Sequence, residues 1–219
     1  KGYAGPLTPG WSRFFILPKH AWRALFRQRF LAIFYMACFF YPLGCALAIY
    51  LNNNLSFLGQ YVPLPKNRLL EVSGQFFYVF TNVQGTLAFV LTAFVGPGLV
   101  SPDLTNNALQ LYLARPISRA EYVLGKGSVL LILLSLMTWV PGVLLFFFQG
   151  YFEGFRWIAE NRRLLAGLFI GSSVWIVVLT LLALALSAWV KWKPVAGALM
   201  FGVFFVSSAF GLMINGVLR

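Results

Sequence analysis

The chain has 219 residues, 60% of them hydrophobic and only 10% charged, with a mean hydropathy of +0.79, whereas soluble domains carry about 25% charged residues. That excludes a soluble globule, and the 20 Gly and 11 Pro mark breaks between apolar runs rather than disorder, which needs low hydrophobicity. The net charge of +12 comes from Lys and Arg scattered between those runs with no aromatic-interleaved basic groove, so no nucleic acid partner is expected.

Residues 1–29 precede the first apolar run. Within them Lys19, Arg23 and Arg27 recur every four residues while Ala21, Trp22, Leu25 and Phe26 lie on the other side. The pattern predicts an amphipathic helix in the headgroup layer, its basic stripe toward anionic lipid and its Trp and Phe in the acyl boundary. A plain basic anchor explains the same charges. Five charge-free runs follow, at 30–51, 75–100, 127–150, 164–190 and 195–218. Each is long enough to cross a hydrocarbon core of about 30 Å, which takes roughly 20 helical residues. The runs are apolar on every face rather than alternating, so they read as helices and not as strands of a barrel. The fold class is therefore all-α and polytopic, with residues 30–219 forming one membrane domain.

Pro42 with Gly44, Gly96-Pro97-Gly98 and Pro141-Gly142 are expected to kink or end their helices. Cys38 and Cys45 share one run without a CxxC spacing and read as small packing residues. Thr81, Asn82, Gln84 and Thr86 are the polar residues of the second run; Asn82, Gln84 and Thr86 suit either a substrate path or hydrogen bonding between helices. Gly167 and Gly171, and Ser207 and Gly211, have small-xxx-small spacing, which serves packing inside a protomer as well as dimerisation. Asn54-Leu55-Ser56 is a glycosylation sequon only in a secretory route, and Tyr151, Phe152, Phe155 and Trp157 read as an interfacial aromatic belt.

Eleven Lys and Arg fall on the N-terminal side of the membrane and six on the other, which places the N-terminus in the cytoplasm. The start at Lys1 leads to the expectation of a trimmed N-terminus, and the stop at Arg219 to that of a sixth span outside this sequence.

The cytoplasmic loop 101–126 holds the densest local signals. Ser101 and Pro102 suit the cap and first position of a short helix, with Asp103 in a first turn where the dipole favours an anion. Pro116 disfavours a helical Arg115 and ends that helix. Ser118 and Glu121 then have the spacing of a capping box, with Ile117 and Tyr122 placed as a hydrophobic staple, for a second helix running into the third span. The result is a helix-turn-helix elbow with a rigid corner, or, more plainly, a tight interhelical loop.

The run Leu111-Tyr112-Leu113-Ala114-Arg115-Pro116-Ile117-Ser118-Arg119, followed by Glu121-Tyr122-Val123-Leu124-Gly125-Lys126, resembles the cytoplasmic loop of ABC-2 type permeases, the membrane subunits of ATP-binding cassette transporters. By that resemblance, Leu113, Arg115, Pro116, Ile117, Ser118, Arg119, Glu121 and Tyr122 belong to the element that docks on a separate ATPase subunit. The resemblance further implies six spans per protomer and a dimer with a second permease chain. Asp103-Leu104-Thr105 departs from the glutamate and Gly-Thr pair that many members carry ahead of the leucine-rich helix.

The residues point the same way through an absence. No Asp, Glu, Lys, Arg or His lies inside any run, although such groups are kept where protons or ions must be relayed, so a proton-coupled carrier is not expected. Gly125-Lys126 is followed by Gly127, and Ala120 stands where the first P-loop glycine belongs, so the chain has no P-loop of its own. Its one histidine, His20, lies outside the runs, which leaves a Ser/His or zinc arrangement without its parts. No catalytic residue, metal or cofactor is expected on this chain; ATP and Mg belong on the partner ATPase. The expected function is the permease subunit of an ATP-driven exporter in a cell membrane, on the pattern of a bacterial inner membrane. The alternative is a non-transporting membrane scaffold that recruits an ATPase or assembly partner.

Overall fold

The computed structural model describes residues 22, 26–54, 72–105, 119–190 and 192–217. Its helices are α1 (Arg29–Ala37), α2 (Phe40–Asn53), α3 (Gly74–Val95), α4 (Pro97–Thr105), α5 (Arg119–Met137), α6 (Trp139–Glu153), α7 (Phe155–Glu160), α8 (Arg162–Trp189) and α9 (Lys193–Val217). Among the described residues five helical stretches are long and apolar enough to cross a membrane: Arg29–Asn53, Gly74–Ser101, Ala120–Glu153, Arg162–Trp189 and Lys193–Val217. These match the five runs read from hydropathy to within a few residues, except that the third begins seven residues earlier. The chain is an all-α polytopic membrane protein. Lys19 and Arg23 of the amphipathic stripe lie outside the described residues; Trp22 and Phe26 meet at a ring distance of 5.5 Å, and Arg27 is exposed.

The first three spans are each interrupted where proline was expected to break them. Pro42 is the third residue of α2 and Pro141 the third of α6, while Pro97 opens α4. A proline removes one N–H and crowds the carbonyl four residues back, and α1 and α5 accordingly end at Ala37 and Met137, at or just before those carbonyls. The ladder resumes one residue later, with Leu43 N–H donating to Phe39 C=O at 3.1 Å and Gly142 N–H to Thr138 C=O at 3.3 Å.

The chain divides into two compact units. One comprises residues 33–91 and 133–178, the other residues 1–32, 92–132 and 179–219. The core of the first gathers Cys45, Ile49, Val72, Phe77, Phe80, Leu145, Phe146 and Leu168. Here the carbonyl released by Pro141 finds a partner on another span: Gln84 Nε2 donates to Met137 C=O at 2.7 Å. Gly142 lets α6 sit close to α3 and α8, since a Cβ there would stand 3.0 Å from both Phe80 and Leu168. Trp175 Nε1 donates to Gly85 C=O at 3.1 Å, tying α8 to α3. At the far end of α2 and α6, Asn53 Nδ2 donates to Gln149 Oε1 at 3.1 Å. Gly154, at φ +91°, turns the chain from α6 into α7, a conformation that favours glycine. Of the expected aromatic belt, Tyr151 and Phe155 are exposed, whereas Trp157 packs on Phe146 with ring centroids 5.1 Å apart.

In the second unit α9 packs on α4. Gly197 permits this, because a Cβ there would lie 3.1 Å from the Ala93 carbonyl oxygen, the group Pro97 leaves without its helical donor. Only Ala196 and Met200 of α9 are buried.

Gln84→Leu strips Met137 C=O of its donor but also removes Gln84 Oε1, a buried acceptor with no partner among the described residues. The net loss should be about 0.5–1 kcal/mol, in the range of interhelical hydrogen bonds in membranes. Adding Pro141→Ala, which restores an N–H within reach of Met137 C=O, should recover most of it. Unfolding of the four proteins in mixed micelles completes the double-mutant cycle, and additive losses would refute this account of the pairing.

Candidate functional site at the base of the loop between spans two and three

The helix that leaves span two does not begin at Ser101. It begins at Pro97, because Gly96-Pro97 supplies a break and a first-position proline four residues earlier. Ser101 therefore lies mid-helix, fully buried, and its hydroxyl is engaged elsewhere. Ser187, on α8 and equally buried, accepts from the N–H groups of Val100 and Ser101 at 3.2 and 3.0 Å and lies 3.2 Å from Pro97 C=O as a donor. In return Ser101 Oγ donates toward Val190 C=O at 2.8 Å and Ser187 C=O at 3.1 Å. A helix leaves its first N–H and last C=O groups unpaired. Here two helix ends, the start of α4 and the finish of α8, cap each other through one serine apiece.

The close fit depends on missing side chains. A Cβ on Gly96 would fall 2.6 Å from Ala183 Cβ, and one on Gly127 would fall 3.2 Å from Leu184. The ends of α4, α5 and α8 are thus drawn together, α5 entering beside α8 at Gly127.

Asp103 completes the arrangement. Lys126 Nζ stands 3.0 Å from its Oδ2, and Tyr122 OH donates to the same oxygen at 2.6 Å. Lys126 also lies over the Tyr122 ring, 5.8 Å from its centre. The two charged side chains are only 13% and 15% exposed, so solvent screens this pair far less than a surface one. It joins the outgoing arm of the loop, α4, to the returning arm, α5.

Of the residues singled out in the loop, Leu113, Arg115, Pro116, Ile117 and Ser118 lie outside the described residues. Arg119 opens α5, and Glu121 sits exposed in its first turn. Tyr122, expected as half of a hydrophobic staple, is buried and directs its hydroxyl to Asp103. In span two Gln84 faces the interior on Met137 C=O, whereas Asn82 and Thr86 are exposed. Both bond back to their own helix, Asn82 Nδ2 to Tyr78 C=O and Thr86 Oγ1 to Asn82 C=O, each at 2.9 Å.

Reading from sequence missed the roles of Asp103, Lys126 and Ser187. One signal was available: with 5 acids against 17 bases, an Asp at the end of a span has cations at hand and has to be paired if it is to be buried. Ser187 carried no such signal.

Residues 17–218 match a family model described as ABC-2 family transporter protein. The chain belongs to this family. It is accordingly a membrane permease subunit of an ABC transporter, and the membership implies an ABC ATPase as partner. No curated protein and no solved structure matches it.

Ser187→Ala removes the hydroxyl that accepts from the Val100 and Ser101 N–H groups and donates to Pro97 C=O, and should cost about 1–3 kcal/mol, at about 0.5–1.5 kcal/mol for each bond lost. Ser128→Ala, which removes only a local bond to Gly125 C=O, should cost under about 0.5 kcal/mol. Thermal unfolding in detergent measures both, and equal losses would contradict the reciprocal cap.

Proposed function

We propose that this ABC-2 permease works as an exporter: two permease chains form the pathway, and two ATPase subunits grip the loop between spans two and three from the cytoplasm. The observation that carries the reading is the anchoring of that loop. Both its arms are held at the base by buried polar contacts, and through Ser187 the outgoing arm is held to span four as well. A loop so braced suits transmission of force better than a solvated hairpin does. Arg115 and Arg119 supply charged contacts to the ATPase, with Pro116 and Ile117 at the tip. The charge-free runs carry no Asp, Glu, Lys, Arg or His to relay protons, so work enters from the ATPase, which supplies the ATP and Mg.

For the path, the exposed face of span two offers Gln75, Tyr78, Asn82 and Thr86 in steps of three and four residues, a polar and uncharged stripe at helical spacing. Basic loop charge orients the protein with its N-terminus inside a bacterial cell membrane.

Ile117→Asp should cut capture of the ATPase subunit at least tenfold in co-purification, while the variant folds and inserts as wild type does. Undiminished capture, or labelling from outside the cell of a cysteine placed at Ile117, would overturn the proposed docking surface.

A further inference from the structure

We propose that Asp103 and Lys126 are positioning residues that carry the movement of the loop from span three into spans two and four; this rests on the proposed docking of an ATPase at the loop.

Helix α5 runs unbroken from Arg119 to Met137, so a load that reaches its start is carried along span three. Side chains pass it on. Lys126 and Tyr122, one helical turn apart on α5, both close on Asp103 Oδ2, at 3.0 and 2.6 Å. Two contacts on one oxygen, from donors with fixed mutual spacing, resist rotation of α4 against α5 as well as separation.

From α4 the connection continues without slack. Ser101 lies two residues before Asp103 on the same short helix, and its exchange of hydrogen bonds with Ser187 and Val190 binds that helix to the end of α8. Gly96 brings the two backbones so close that even a methyl group would collide with Ala183. Packed interiors transmit displacement rather than absorb it. Helix α4 is thus a rigid connecting piece with one polar joint to span three and another to span four.

The pair is mostly buried, so removing one charge strands the other and endangers folding, whereas neutralising both is commonly tolerated. The decisive variant is therefore the double replacement Asp103→Asn with Lys126→Met. The permease is purified with its ATPase in lipid nanodiscs, and amide hydrogen exchange is compared with and without ATP.

In wild type, ATP should alter exchange in 97–105, 119–130 and 180–190 together. In the double variant, the change should persist in 119–130 and fall at least fivefold in 97–105 and 180–190, with ATPase capture and unfolding temperature as in wild type. The charge exchange Asp103→Lys with Lys126→Asp should restore at least half of the lost response. A purely structural pair would raise exchange equally in both nucleotide states and leave the ATP-driven difference intact, which overturns the inference. So does an unchanged response at 180–190 in the double variant. If wild type captures an ATPase but shows no ATP-driven change at the loop, the docking proposal fails first and this inference with it.

Discussion

A backbone polar group inside lipid has no water to turn to, so any group freed from a helical ladder must be met by another part of the protein. Much of this molecule's specificity follows from that constraint. Three spans are broken at prolines, and a break in lipid costs free energy unless a partner is supplied. Met137 C=O, released by Pro141, is met by Gln84. The opening turn of α4, weakened by Gly96-Pro97, is met by Ser187. Helix packing in a membrane gains little from hydrophobicity, since lipid tails are as apolar as leucine. The few polar residues able to answer a broken ladder therefore decide which helix lies against which.

This explains what could be read from the residues and what could not. The spans were legible because a membrane helix has to be apolar over its whole length, and the breaks because proline removes an N–H wherever it stands. The rotation of each helix was not legible. In water, a stripe of polar residues reports which face is outward, but α3, α5 and α8 are apolar nearly all round and their moment says little. Whether Ser101 faced solvent or Ser187 depended on that rotation, and the two lie 86 residues apart. Ser101-Pro102 also imitates a helix start, and so does Gly96-Pro97; the earlier signal prevailed because Ser101 is taken up by α8. For Tyr122 the ring was foreseen as an apolar contact, and its hydroxyl, which sets its role, was not.

Short, small side chains turn these contacts into a framework. Gly96, Gly127 and Gly142 stand where a methyl group would strike a neighbouring span, so the backbones come near enough for a serine hydroxyl to bridge them. A longer side chain at any of the three would leave the serines and the glutamine short of their carbonyls. Close approach and polar bridging are one device here, each useless without the other. The Asp103 and Lys126 pair is the exception, since it reaches across a wider gap with longer side chains and carries charge. It stands where α4 has passed the end of the apolar run, the region in which a charged pair costs least and electrostatics act over the greatest range.

An exposed apolar helix means little in lipid. Of the span Lys193–Val217 only Ala196 and Met200 are buried, and in water so large an apolar face would mark an interface, whereas a bilayer can cover it at no cost. The informative surface is the polar one. Asn82 and Thr86 lie on an exposed face, yet each has turned a donor onto a carbonyl of its own helix, which lowers the cost of meeting hydrocarbon. A residue that served only to bond another helix would gain nothing from that conformation when partnered. A residue lining a path that opens and closes gains from it in every closed state, because it must tolerate lipid or apolar neighbours for part of the cycle and offer hydrogen bonds for the rest. Gln84, by contrast, has spent its amide donor on a fixed backbone carbonyl. Two kinds of polar residue thus share one span, Gln84 bonded to another helix and Asn82 and Thr86 each bonded to its own.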